Sequence, residues 1–108
     1  MMNQWTKASM AALLLGGMAV TGLASAQGSA EAGADKIATC VACHGEDGKA
    51  TADIYPNLSG QSATYLESSL KAYRDGQRSG GMSAVMTPQA TNLSDQDISD
   101  IAAYYSQQ

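Results

Sequence analysis

The chain has 108 residues, 44% of them hydrophobic, with six basic and ten acidic side chains and a formal net charge of −4. That sign disfavours nucleic acid or an acidic lipid surface as a partner, because either would repel a protein of like charge. The length allows one small domain, and a sequence with no Phe and a single Trp, Trp5, has little aromatic mass from which to build its core.

The first 26 residues read as a targeting segment. Lys7 lies in a short polar start, the apolar run Ala8 to Ala24 follows, and Ala24-Ser25-Ala26 forms a small-residue cleavage site. As a retained anchor the run would be short for a membrane span and interrupted by Gly16, Gly17 and Gly22. Cleavage after Ala26 is therefore expected, leaving 27–108 as one domain in the periplasm with no stable membrane anchor. Without Lys7 that domain has five basic residues against ten acidic ones, a formal −5. Such a surface favours partners that present a basic docking patch.

Residues 27–33 are small and polar and read as a frayed entry. A helix is expected next, its apolar stripe Ala34, Ile37, Ala38 and Val41 running directly into Cys40-Val41-Ala42-Cys43-His44. This pentapeptide holds both cysteines and the only histidine of the chain. Two thiols at that spacing can add to the two vinyl groups on one edge of a porphyrin, and the adjacent imidazole can then ligate the iron. The motif predicts one covalent haem c on Cys40 and Cys43, with His44 as an axial ligand. A structural zinc site would need four protein ligands where the motif supplies three. A thioredoxin-like dithiol would follow a strand, and no β-rich segment precedes these cysteines.

Residues 45–60 are dense in Gly, Asp, Asn and Pro and read as a loop around the cofactor. Within it Pro56 offers a backbone carbonyl that can fix the second ring nitrogen of His44; the competing reading is a plain turn proline, with Leu58 in the core. A second helix is expected from Ser62 to Asp75, with Ser62 as cap, Leu66, Leu70 and Tyr73 on one face, and Gly76 as its stop. Tyr65, Tyr73, Arg74 and Arg78 could hydrogen-bond the haem propionates, but tyrosines and arginines at helical spacing are more often packing and solvated surface.

Residues 79–92 hold Met82, Met86 and Pro88 without sustained periodicity and read as a ligand-bearing loop. With no second histidine, the sixth iron position falls to a thioether. Met1, Met2, Met10 and Met18 lie in the leader, which leaves Met82 or Met86. The last helix opens at Ser94 and buries Ile98, Ile101, Ala102 and Tyr105, while Asp95, Asp97 and Asp100 read as capping and surface residues. The cofactor slot is expected between Ile37, Leu58, Leu70 and Ile101.

Three segments together, the helix into Cys40-Val41-Ala42-Cys43-His44-Gly45, the stretch Tyr55 to Gln61, and the ending Leu93 to Tyr105, resemble the monohaem class I c-type cytochromes of bacteria. The likeness is greatest to one repeat of the dihaem c-four type or to a c-five-like cytochrome. The resemblance implies an all-α class I fold, about three main helices and loops wrapped around one haem, and a one-electron carrier rather than an enzyme. It selects Met86, seven residues before Leu93, as the sixth ligand, places the Pro56 carbonyl on the His44 ring, and crosses the first and last helices at Gly33 and Tyr104. It also implies respiratory partners such as a quinol-oxidising complex and a terminal oxidase. The alternative is a haem gas sensor or peroxide-reactive protein with a labile sixth ligand.

Overall fold

Five helices and no strand occur among the residues described by the computed structural model, 27–108 with Gly16 and Gly17. The remainder of the targeting segment lies outside the described residues. In chain order the elements are α1 (Ala30–Ala34), α2 (Val41–His44), α3 (Ala63–Arg74), α4 (Ser83–Ala90) and α5 (Asp95–Ser106). The architecture is all-α, as the sequence led us to expect, with α5 packed against both α1 and α3, and α3 also against α4.

The two long helices start where local chemistry dictates. The Ser62 hydroxyl accepts the Tyr65 N–H at 3.2 Å, and Gly76 follows α3 at φ 71°, the left-handed conformation that ends helices cheaply only for glycine. At α5 the cap is reciprocal: Ser94 Oγ accepts the Asp97 N–H and Asp97 Oδ2 accepts the Ser94 N–H, both at 3.0 Å. Each such cap contributes about 1 kcal/mol. The stripe Ile98, Ile101, Ala102 and Tyr105 is buried, and with Ile37 and Leu66 its last three members form the core cluster.

The first helix departs from expectation. It begins earlier, at Ala30 under a Ser29 cap, and stops at Ala34. Tight turns then occupy 35–40 before α2, so the cysteine motif is not the end of one continuous helix. Ala34 and Ala38 are exposed, whereas Ile37 is buried. The break accompanies a long-range contact: Lys36 Nζ pairs with Asp100 Oδ2 at 2.7 Å and Asp97 Oδ1 at 2.9 Å, and the turn lets it reach them while Ile37 enters the core. The presumed fray at 27–33 is likewise ordered. The Ser29 N–H donates to Asp100 Oδ1 at 2.8 Å, and Gly33 sits so close to α5 that a Cβ there would overlap the Asp100 carbonyl and lie 2.8 Å from Tyr104 Cβ.

The segment 79–92 is also more regular than its sequence suggests. It contains α4, with Pro88 inside it. Pro88 withholds one backbone donor, but the hydroxyls of Thr87 and Thr91 donate to the carbonyls one turn back, Ser83 and Thr87.

Asp100, read from sequence as a surface residue, is 2% exposed. Its carboxylate is held by the Lys36 ammonium, the Ser29 N–H and the Gln96 amide, which together lower its pKa to about 2. A carboxyl depressed by folding adds stability above its ordinary value of about 3.9. That contribution is lost as pH falls through about 2. Asp100→Asn should therefore lower the thermal midpoint at neutral pH. Its deficit relative to the parent should shrink between about pH 4 and pH 2, as followed by circular dichroism. A deficit independent of pH would show that the ionised group contributes nothing.

Candidate functional site

The short helix α2 presents His44 toward the interior, where the ring is 6% exposed. Its Nδ1–H donates to the Pro56 carbonyl at 2.9 Å. A carbonyl can only accept, so this bond places the proton on Nδ1 and leaves Nε2 with its lone pair free to bind a metal. The sequence left Pro56 between two readings; the loop's course sets its carbonyl against the ring. That loop is braced at several points. The Leu58 N–H donates to Gly48 O at 2.7 Å, the Ala50 N–H to Asn57 Oδ1 at 2.7 Å, and the Thr51 hydroxyl to Ala42 O at 2.9 Å.

Two tyrosines of α5 hold the exit from α2, a function not apparent in the sequence. Tyr105 O–H donates to Gly45 O at 2.9 Å and Tyr104 O–H to Glu46 O at 2.6 Å. Burial pushes the Tyr105 phenol well above its ordinary value, so it stays a neutral donor. Helical periodicity marks Tyr105 as a core residue, but the carbonyl that its hydroxyl meets lies 60 residues away.

Beside His44 lie two cavities of about 210 and 270 Å³. Six residues line both: Cys40, His44, Pro56, Tyr73, Arg78 and Met86. The cavities are therefore lobes of one cleft. Leu58, Leu70 and Ile101 line the first lobe as expected, but Ile37 does not; it is buried in the core cluster against which Cys40 packs. Met82 reaches only the second lobe and is 55% exposed. Of the propionate candidates, Tyr65, Tyr73 and Arg78 line the cleft. Arg74 does not, being bound to Asp75, Asp95 and the Leu93 carbonyl.

Both cysteines are free and half-buried. Burial raises the Cys40 thiol pKa, whereas dithiol redox centres lower that of their reactive thiol. Among the described residues no group of three His, Cys, Asp or Glu side chains could hold an ion, which leaves the zinc reading without a site. A haem fits the donor set instead. Two thiols, a histidine with Nε2 available, a thioether in both lobes and a mainly apolar lining match a flat macrocycle with two vinyl groups and a metal.

Comparison with known proteins agrees. The sequence profile of the Cytochrome c family matches residues 26–108. The chain is 74% identical over 81 residues to cytochrome c-554(548) of Halomonas halodenitrificans, covering 75% of this chain and 98% of that one. It is 47% identical over 91 residues to cytochrome c4 of Pseudomonas aeruginosa, covering 84% of this chain but 44% of that longer one. The crystal structure of reduced cytochrome c4 from Pseudomonas stutzeri superposes with a TM-score of 0.61 at 42% identity, over 75% of this chain and 46% of the other. The chain thus spans nearly all of one relative and less than half of these two c4 proteins. Sequence, fold and cleft lead to one conclusion: the chain belongs to the cytochrome c family, an electron carrier of the haem c type and not an enzyme.

Proposed function

We propose that the chain is a periplasmic carrier of single electrons, with one haem c joined through Cys40 and Cys43 and ligated by His44 and Met86. The observation that best supports this is the His44 Nδ1–H bond to Pro56 O at 2.9 Å, which aims and polarises the ring as an axial ligand requires. Met86 is preferred to Met82 because it lines both lobes beside His44.

When bound, the haem supplies an iron that gains or loses one electron. The chain's contribution is rigidity and exclusion of water. Pro56 O holds the imidazole in one orientation, Leu58, Leu70 and Ile101 cover the cleft with apolar surface, and Tyr105 fixes the backbone at Gly45. A pocket that need not rearrange between oxidation states keeps the barrier to transfer low.

The decisive measurement is absorbance of the reduced holo-protein under carbon monoxide at neutral pH. A carrier with two strong ligands stays unchanged, whereas rapid conversion to a carbonyl spectrum would favour the gas- or peroxide-reactive alternative. The targeting segment, 1–26, is proposed to be removed, and the mass of the purified protein tests this directly.

The carrier is proposed to exchange electrons with respiratory partners, such as a quinol-oxidising complex and a terminal oxidase, through a basic patch on the partner. Among the described residues Glu31, Asp35, Glu46, Asp47 and Asp53 lie outside every ion pair, so they are available for such docking. Electron transfer to a basic partner should slow as salt rises, since the screening length is about 10 Å at 0.1 M. A flat or rising rate in stopped-flow mixing would discard electrostatic docking.

A further inference from the structure

The two methionines among the described residues have different surroundings. Met86 is half-buried and lines both lobes. Met82, one helical turn earlier, lines only the second lobe and is 55% exposed. That exposure is not a frayed end, because the backbone around it is fixed: the Ser83 N–H donates to Gly80 O and the Val85 N–H to Met82 O, both at 3.0 Å. The chain just before it turns at Gly80 and Gly81, with φ 90° and 51°. A Cβ at either glycine would meet no atom within 4 Å, so the approach to Met82 from that side is open.

Met82 also stands in apolar company. Of the four large hydrophobic side chains exposed among the described residues, Ile54, Met82 and Val85 all line the second lobe. Only Met82 of these three carries an atom that a mild oxidant attacks. A thioether lone pair attacks one oxygen of hydrogen peroxide; the S–O bond forms, the O–O bond breaks, the sulfur is oxidised by two electrons, and the second oxygen leaves as water with both protons. The product is a polar sulfoxide, which has no hydrogen-bond donor to meet on an apolar rim and so disfavours any apolar contact there. Two thiols can take the oxygen back as water, leaving a disulfide. Met86 is protected twice, by burial and, in the proposed ligation, by a lone pair committed to iron.

We infer that Met82 is a peroxide-sensitive modification site, whose conversion to the sulfoxide turns the apolar rim of the second lobe polar while ligation by Met86 stays intact. The second half of this statement rests on Met86 being the sixth ligand.

The test treats the holo-protein with rising doses of hydrogen peroxide and takes three readouts. These are fragment-ion mass spectra of the tryptic peptide 79–108, which holds both methionines, the sulfur-to-iron absorption band, and retention on a hydrophobic-interaction column. Met82 should gain one oxygen at doses that leave Met86 unmodified and the band unchanged, and the modified protein should elute earlier. Met82→Leu should keep its retention at those doses, whereas Met82→Gln, polar without any oxidant, should elute early from the start. Oxygen on Met86 first, loss of haem absorbance while Met82 is still unmodified, or a Met82 sulfoxide with parental retention would each overturn the proposal. A parent protein that lacks the sulfur-to-iron band before peroxide is added refutes the ligation reading instead, and the position of the oxygen together with the retention then decides the site on its own.

Discussion

Met86→Ala should abolish the sulfur-to-iron absorption band of the oxidised protein and lower the midpoint potential, whereas Met82→Leu should do neither. Thioether ligation favours reduced iron, and axial ligands as a class span roughly 0.8 V of potential, so loss of the sulfur should be among the largest effects of any single substitution. The vacated position should also make the reduced protein reactive toward carbon monoxide. Absorbance and a redox titration of both variants check the expectation. If Met82→Leu loses the band and Met86→Ala keeps it, the ligand has been assigned to the wrong methionine.

The second large effect concerns stability. Replacing Cys40 and Cys43 together by Ala should give a chain with no covalent haem and little fixed structure. Among the described residues the buried apolar side chains number eight, three of them alanines. A core that small scarcely offsets the conformational entropy of a chain of this length. The haem would supply the missing apolar surface against Leu58, Leu70 and Ile101. Haem staining of a denaturing gel, together with circular dichroism, reads both consequences. A double variant with parental helicity and thermal midpoint would show that the polypeptide folds without its cofactor.

What the sequence revealed depended on how far apart the cooperating residues lie. Ser62 and Ser94 could be read as caps because the amide each accepts is three residues away. The cysteine-histidine motif was legible because all its chemistry is packed into five consecutive positions. The break after α1 was not, since it goes with the pairing of Lys36 to two carboxylates in the last helix. For the same reason Asp100 looked like one more polar residue on a helix surface, although its N-terminal partner, Ser29, is 71 residues away. Helix α4 escaped notice for a different reason. Its apolar residues Ala84, Val85 and Met86 are contiguous, and Pro88 separates them from the buried Ala90, so no stripe marks a buried face. The exposed Ile54 and Val85 at the cleft left no signal in the sequence either, because an apolar residue in a loop or an irregular segment is ordinarily read as core.

The tie between Ser29 and Asp100 also constrains the order of events as the protein is made. The chain emerges N-terminus first, and α1 finds its packing partner only when α5 has been synthesised. The carbonyls of Gly45 and Glu46 wait as long, for hydroxyls 60 and 58 residues downstream. Until the last dozen residues arrive, the segment that carries Cys40 and Cys43 lacks the tyrosines that hold its exit. Contacts of such long range form late. The final helix thus acts as a clasp, the last element to arrive and the one that fastens both ends of the domain.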